Sequence, residues 1–168
     1  TETVAGVNPD TNFAVVDSAM INFDTGGPIA DNIAGLTFAE QEGSFLVGAA
    51  AALKTGVDKI GFIGGVCCYG GIEPFEAGFI AGAKAVNPNI EILSQYVTEA
   101  PDFDGFNAPD RGKEIALAMF EDGADIVYHA AGGTGAGLFQ AAKEHSDSEG
   151  SKVWAIGVDF DQYNVVDD

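Results

Sequence analysis

Two aspartates, Asp17 and Asp159, each follow an apolar run rich in β-branched residues, in the sequences VVD and IGVD. Such runs predict buried strands, and α/β sheets bind their ligands outside the carboxyl ends of the strands. A carboxylate at that place can accept two hydrogen bonds from a vicinal diol, as acidic groups do for a ribose. A helix cap or a turn uses an aspartate equally well, so position alone leaves both interpretations open.

A glycine-rich turn lies in YHAAGGTGAGLF, residues 128–139, between another apolar run and a helical pattern. A Walker loop needs Lys and then Ser or Thr after its last glycine, but Leu138 and Phe139 stand there. A dinucleotide fingerprint that starts at Gly133 needs its third glycine at position 138, so the match fails by one residue. Gly132 and Gly133 can still let a ligand approach backbone N–H groups, or they can serve tight turning and packing alone.

Tyr128 and His129 end the apolar run that precedes this turn. Neighbouring side chains of a strand point to opposite faces, so at most one of the two faces a given site. An aromatic ring there can stack on a planar ligand. The alternative is that Tyr128 belongs to the core and that His129 is a satisfied loop residue.

Catalytic patterns are absent from the sequence. It contains no nucleophile paired with a base and no paired carboxylates on a defined frame. The stretch EGSFLVG, residues 42–48, lacks the G-x-S-x-G elbow, and Ser44 suits a helix cap better. We therefore expect a protein that is not an enzyme and needs no cofactor.

The two cysteines, Cys67 and Cys68, are adjacent in GGVCCYGG. This spacing is too close for the usual zinc and redox motifs, so no metal site is expected. They form either a vicinal disulfide or two free thiols, and we favour free thiols because no nearby His, Lys or Arg would activate them.

The charge and length of the chain exclude several partners. Its 26 acidic and seven basic residues give a formal charge of -19, which repels nucleic acid and anionic membranes. The 168 residues contain no apolar run near the length of a membrane span, so we expect no direct membrane insertion by this segment. The first residues, TETVAGVNPD, lack the pattern of a secretion signal.

Apolar runs alternate with helical patterns along the chain, which predicts βαβ crossovers and a doubly wound parallel α/β sheet. Strands are predicted at residues 13–18, 32–38, 59–65, 90–97, 125–133 and 152–159. Helices are predicted at 42–55, 74–86 and 111–121, with a further helix starting after the glycine turn. The chain begins just before a strand and stops soon after another, so we expect it to be a fragment.

The stretches EGSFLVG, AAGGTGAG and GVDFDQ, in an order that continues over most of the chain, resemble the basic membrane protein family. These are substrate-binding lipoproteins of ABC importers that bind purine nucleosides. The resemblance implies a type I periplasmic-binding-protein fold, in which two lobes hold the ligand in a cleft without converting it. Residues 1–37 would be the C-terminal part of lobe one, 38–160 lobe two and 161–168 the return crossing segment.

The resemblance also implies roles for single residues. Asp159 matches the ribose-binding carboxylate of the family and Asp17 its base-side acid, while Tyr128 or His129 falls near the second stacking aromatic. Asn32 and Phe38 are two further candidates for positions that face the cleft. The chain departs from the family pattern in GGVCCYGGIEPF, residues 64–75.

The expected function is therefore that of an extracytoplasmic, lipid-anchored receptor that delivers a purine nucleoside to the membrane subunits of an ABC importer. The seven basic residues lie mostly on helices or ahead of strands, which favours a neutral nucleoside over a nucleotide. The alternative is a fragment of a Rossmann-type nucleotide-binding oxidoreductase that uses Asp159 on an adenosine ribose.

Overall fold

The computed structural model describes residues 2–22 and 25–163. The chain divides into two compact units, Thr1–Ala39 and Glu40–Asp168, which we call unit 1 and unit 2. The predicted lobe boundaries, between residues 37 and 38 and between residues 160 and 161, remain predictions. Residues 164–168 of the predicted return crossing segment lie outside the described residues.

Unit 1 contains a short helix and two parallel strands, α1 (Glu2–Val7), β1 (Phe13–Val16) and β2 (Ile33–Leu36). Phe13 lies opposite Ile33 in the register, and Ile33 and Ala5 are buried. The sequence predicted β1 and β2, because both strands are apolar and bounded by polar residues. The helix was not predicted, because six residues are too few to show a helical period.

Unit 2 is a four-stranded parallel sheet in the order β4-β3-β5-β6, with helices on both faces. Its elements in chain order are α2 (Glu40–Lys54), β3 (Lys59–Cys67), α3 (Glu73–Val86), β4 (Glu91–Glu99), α4 (Pro109–Glu121), β5 (Ile126–Ala130), α5 (Gly135–Glu149) and β6 (Trp154–Ile156). The doubly wound α/β architecture predicted from the sequence is confirmed.

The core of unit 2 has two layers, one on each side of the sheet. Phe62 and Phe79 belong to the layer under α2 and α3, and Ile63 and Leu138 to the layer under α4 and α5. Alternate residues of β3 enter opposite layers, as the period of a strand requires. Because both faces are covered, β3 and β5 are predominantly apolar and could be recognised as buried parallel strands.

In unit 1, the strands predicted for 13–18 and 32–38 are confined to Phe13–Val16 and Ile33–Leu36. In unit 2, two predicted strands end too late. The strand predicted for 125–133 ends at Ala130, because Gly132–Thr134 forms a 3-10 turn that leads into α5. The strand predicted for 152–159 is confined to Trp154–Ile156. Among the helices of the described ranges, none combines the length and the apolar character needed to cross a membrane.

Candidate functional site

The candidate site is the edge of the unit 2 sheet where its four strands end. From β3 the chain continues to β4 on one side, and from β5 it continues to β6 on the other side. The order of the strands therefore reverses between the neighbours β3 and β5. Ligands of doubly wound sheets bind outside the carboxyl ends of the strands at such a point. The loops after β3, β4, β5 and β6 meet at this edge.

Asp159 lies in the turn that follows β6, with a backbone φ of 68°. This left-handed conformation is uncommon for residues other than glycine, although Asp tolerates it better than most. The turn is closed by the side chain of Gln162, whose Oε1 accepts a hydrogen bond from the Val158 N–H at 2.9 Å. The predicted diol-binding carboxylate thus lies at the carboxyl edge of the sheet, in a constrained turn.

Asp17 follows β1 in unit 1 and has a similar backbone, with a φ of 61°. Its N–H donates to the Leu36 carbonyl at 2.8 Å, which continues the pairing of β1 with β2. Its placement directly after a parallel strand agrees with the sequence prediction. Its role as a base-side acid remains a prediction.

Tyr128 differs from the expected stacking aromatic. Its side chain is 3% exposed, and its ring centroid lies 5.7 Å from that of Phe62 and 5.3 Å from that of Phe79. The ring therefore belongs to the core layer under α2 and α3, which corrects the expectation that it stacks on a ligand. The physical reason is that position 128 of the strand points into the layer that these helices cover.

The Tyr128 hydroxyl lies 3.2 Å from the Ser44 Oγ, and both residues are buried. Burial raises the pKa of this hydroxyl, the bond to Ser44 opposes the rise, and the charge of Asp159 adds to it. Burial is the largest of these three effects and the charge of Asp159 the smallest. Ser44 lies inside α2 and pairs with Tyr128, so the expectation that it caps the helix is wrong.

His129 is fully buried on the opposite face of β5, with its ring edge-on to Phe139 at a centroid distance of 5.6 Å. Its Nε2 lies 3.2 Å from the Gln162 Oε1. Burial lowers the pKa of the imidazole to about 4, against a smaller opposing effect of the bond to Gln162, so the side chain is neutral at pH 7. A fully buried ring has no face open for a ligand, so the stacking role is corrected for His129 as well.

The glycine turn packs against the loop that follows β4. A Cβ at Gly132 or Gly133 would lie 3.2 or 3.3 Å from the carbonyl oxygen of Phe106. The buried Thr134 hydroxyl donates to the Gly105 carbonyl at 2.7 Å and accepts from the Ala108 N–H at 2.8 Å. The close approach of the Phe106 backbone therefore accounts for glycine at positions 132 and 133. Ligand binding by Gly132 and Gly133 stays a prediction.

An aromatic group that the sequence interpretation missed lies at the same edge, and we call Tyr69, Phe103 and Phe106 the edge aromatic group. The ring of Tyr69 is T-shaped to that of Phe103 at 5.3 Å and to that of Phe106 at 6.4 Å. Tyr69 is 37% and Phe103 52% exposed, so this group presents aromatic surface to solvent. Two aromatic residues within the short loop DFDGF, 102–106, were the available signal.

Cys67 and Cys68 form a vicinal disulfide at the end of β3, so the expectation of free thiols is wrong. Cys68 has a φ of 71°, and its N–H donates to the carboxylate of Glu73. Absence of an activating base does not prevent pairing, because the backbone turn at Cys68 brings the two sulfur atoms together. In the described part of the chain, no cluster of three or more His, Cys, Asp or Glu could hold a metal ion.

Asn32 and Phe38, the two cleft-side candidates of unit 1, have different surroundings. The Asn32 Nδ2 donates toward the carbonyl oxygens of Ala5, Asn8 and Thr11 at 3.2, 3.2 and 2.9 Å. These bonds tie α1 and the following turn to β2 and engage both amide hydrogens. Phe38 is 64% exposed. Ligand contact by either residue is still a prediction.

Basic side chains of the described residues are mostly engaged within the protein. Salt bridges join Lys59 to Glu91 and Asp122, Lys113 to Glu144, and Lys143 to Asp147. Lys54 and Lys152 lie over the Trp154 ring, and Arg111 donates to the Val97 carbonyl. Six of the seven basic residues thus have internal partners, which leaves little positive charge for a phosphate.

Known proteins share this fold. The crystal structure of an ABC transporter solute-binding protein from Aeropyrum pernix K1 matches 93% of this chain and 42% of that chain, with a TM-score of 0.73 and 27% identity. The α/β architecture is thus that of the type I periplasmic-binding-protein class. The chain belongs to the PnrA-like family of ABC transporter substrate-binding proteins, whose sequence pattern matches residues 1–168. The resemblance to the basic membrane protein family is therefore confirmed.

Two curated relatives are similar over most of this chain. It is 42% identical over 165 residues to the CD4+ T-cell-stimulating antigen of Listeria innocua serovar 6a, which aligns 97% of this chain and 42% of that protein. It is also 42% identical over 164 residues to the ABC transporter nucleoside-binding protein BmpA of Lactococcus lactis subsp. cremoris, with 96% and 43% aligned. The chain thus spans less than half the length of these relatives. Neither relative is named as an oxidoreductase.

Proposed function

We propose that this chain is part of the extracytoplasmic solute-binding component of an ABC importer and binds a purine nucleoside without converting it. The observation that carries the proposal is the position of Asp159, in a constrained turn at the carboxyl edge of the sheet that also bears the edge aromatic group. A carboxylate suits the ribose diol, and exposed aromatic rings suit a planar base. A nucleoside carries both groups.

The spacing of the strands supports this pairing. The edge aromatic group follows β3 and β4, whereas Asp159 follows β6, and β5 lies between β3 and β6. Neighbouring strands are about 4.8 Å apart, so the ends of β3 and β6 are separated by about 10 Å. That distance is comparable with the length of a nucleoside. We therefore assign base stacking to the edge aromatic group instead of to Tyr128 or His129.

The charges support a ligand without phosphate. A nucleotide needs cations or several free N–H groups, yet six of the seven basic side chains already have internal partners. The similar protein of Lactococcus lactis is named a nucleoside-binding protein, in agreement with a neutral ligand. Asp17, Asn32 and Phe38 are retained as predicted contacts on the resemblance alone.

The remaining partners follow from the family. A substrate-binding protein delivers its ligand to the membrane subunits of its transporter, and we propose these subunits as the protein partner. We propose a lipid-anchored position outside the cytoplasm for the whole protein. The formal charge of -19 argues against nucleic acid as a partner.

Calorimetric titration of the full-length protein with inosine, adenosine, guanosine and NAD tests the proposal. We expect micromolar or tighter binding of at least one nucleoside and no heat from NAD. Asp159→Ala should weaken nucleoside binding by at least about tenfold, because a bond to a charged group contributes about 1.5–3 kcal/mol. Asp161→Asn, two residues away in the same turn, is the matched control. Binding of NAD alone would disprove the receptor function, and an unchanged affinity of Asp159→Ala would disprove the ribose contact.

A further inference from the structure

Gln162 joins both ends of the turn that contains Asp159 to the neighbouring strand. Its Oε1 accepts from the Val158 N–H at 2.9 Å and lies 3.2 Å from the Nε2 of His129 on β5. A Cβ at Gly157 would lie only 2.2 Å from the same oxygen, so the carboxamide packs directly on the Gly157 backbone. The turn of residues 157–162 is thus closed by one side-chain oxygen.

The hydrogen-bond pattern determines the tautomer of His129. The Gln162 oxygen accepts from Val158, and a carboxamide oxygen has no hydrogen to donate. The Nε2 of His129 must therefore carry the hydrogen and donate it to Gln162. Among the described residues, the buried Nδ1 has no hydrogen-bond partner, as suits the unprotonated nitrogen of a neutral imidazole.

The imidazole is held in place by the start of α5. A Cβ at Gly135 would lie 2.0 Å from the Cε1 and 2.3 Å from the Nε2 of His129, so the ring occupies the space that this glycine leaves. Phe139 packs edge-on against the ring from the next turn of the helix. The ring is fully buried, so its Nε2–H group stays directed at the Gln162 side chain.

We propose that His129 is a positioning residue for ligand binding, which sets the place of the Asp159 carboxylate through Gln162. The proposal rests on the proposed function, in which Asp159 contacts the ligand. A left-handed backbone at a residue other than glycine costs on the order of 1–3 kcal/mol and persists only where its surroundings enforce it. The bonds from His129 and Val158 to Gln162 enforce it here, since they hold both ends of the turn.

Hydrogen exchange in the full-length protein without ligand tests the positioning. His129→Phe keeps a buried ring but removes the donor, and His129→Gln returns an N–H the same number of bonds from the backbone. We expect the Val158 amide to exchange about five to ten times faster in His129→Phe, as for the loss of one hydrogen bond, and to recover most of its protection in His129→Gln. His145→Phe, on α5 beside Phe120, is the control and should leave residues 157–162 unchanged. Equal exchange in all four proteins would overturn the proposal.

Nucleoside titrations of the same variants separate this proposal from the proposed function. His129→Phe should lower the affinity for the nucleoside that the wild type binds, yet cause no further loss in an Asp159→Ala background, because its effect passes through that carboxylate. Additive losses would overturn the positioning role. If the wild type binds no nucleoside but hydrogen exchange responds as expected, the proposed nucleoside binding is refuted. The role of His129 in holding the turn of residues 157–162 then still stands.

Discussion

The buried imidazole of His129 makes the stability of the protein depend on pH. Burial lowers its pKa from about 6.5 to about 4. The unfolded chain therefore binds a proton on this residue more readily than the folded protein. The resulting contribution to the free energy of unfolding is present above pH 6.5 and is lost as the pH falls toward 4.

The size of the loss follows from the difference of the two pKa values. That difference corresponds to about 3 kcal/mol in total, and about 2 kcal/mol of it is lost between pH 7.5 and pH 5. Urea unfolding of the wild type and of His129→Gln at several pH values measures the effect. The carboxylates titrate equally in both proteins, so the difference between the two free energies of unfolding isolates position 129.

We expect that, between pH 7.5 and pH 5, the wild type loses about 2 kcal/mol more of its free energy of unfolding than His129→Gln does. Parallel pH profiles of the two proteins would refute the reasoning, because they would show that the folded and unfolded states protonate His129 alike. A direct NMR titration of the imidazole gives an independent check. A pKa near 6.5 in the folded protein would contradict the burial described above.

Two further changes test the packing around the site. Gly135→Ala introduces a Cβ about 2 Å from the His129 ring. We expect a loss of about 1–3 kcal/mol in the free energy of unfolding, measured by urea denaturation. The control is Gly43→Ala, where the added Cβ meets nothing within 4 Å. A neutral Gly135→Ala would show that the ring can move aside. Thr134→Val keeps the side-chain volume but removes the hydroxyl that joins the Gly105 carbonyl to the Ala108 N–H. We expect a loss of about 1–3 kcal/mol in the same assay, because the buried Gly105 carbonyl and the half-buried Ala108 N–H lose their partner, and unchanged stability would contradict it.

The strands and most helices of the fold could be predicted because their patterns are local. β3 and β5 are predominantly apolar runs that lead into glycine-containing loops, and α4 repeats its apolar residues at helical spacing. The end of β5 was placed three residues late, since Ala131, Gly132 and Gly133 suit a strand and a 3-10 turn alike. Boundaries of this kind depend on the neighbouring backbone, here the loop at Phe106.

The candidate site was predicted in part. Asp159 was recognised because a polar residue that follows an apolar run marks the carboxyl edge of a sheet, and it does lie there. Tyr128 and His129 were placed at the right end of the right strand, but their burial could not be judged. Whether a strand residue near the end is covered depends on helices distant in the sequence, namely α3 through Phe79 and α5 through Gly135.

The sequence by itself determined the alternation of strands and helices, the absence of a phosphate loop and the aspartate at the sheet edge, since each follows from residue types within one short segment. Only the tertiary structure decided which side chains meet. It joined Tyr69 to Phe103 and Phe106 from two separate loops, and it enclosed His129 behind Gly135 and linked it to Gln162. The glycines of the AAGGTGAG turn likewise serve contacts with Phe106 and His129 that lie outside the turn. The physical reason is that burial and pairing arise between segments that only the folded chain brings together.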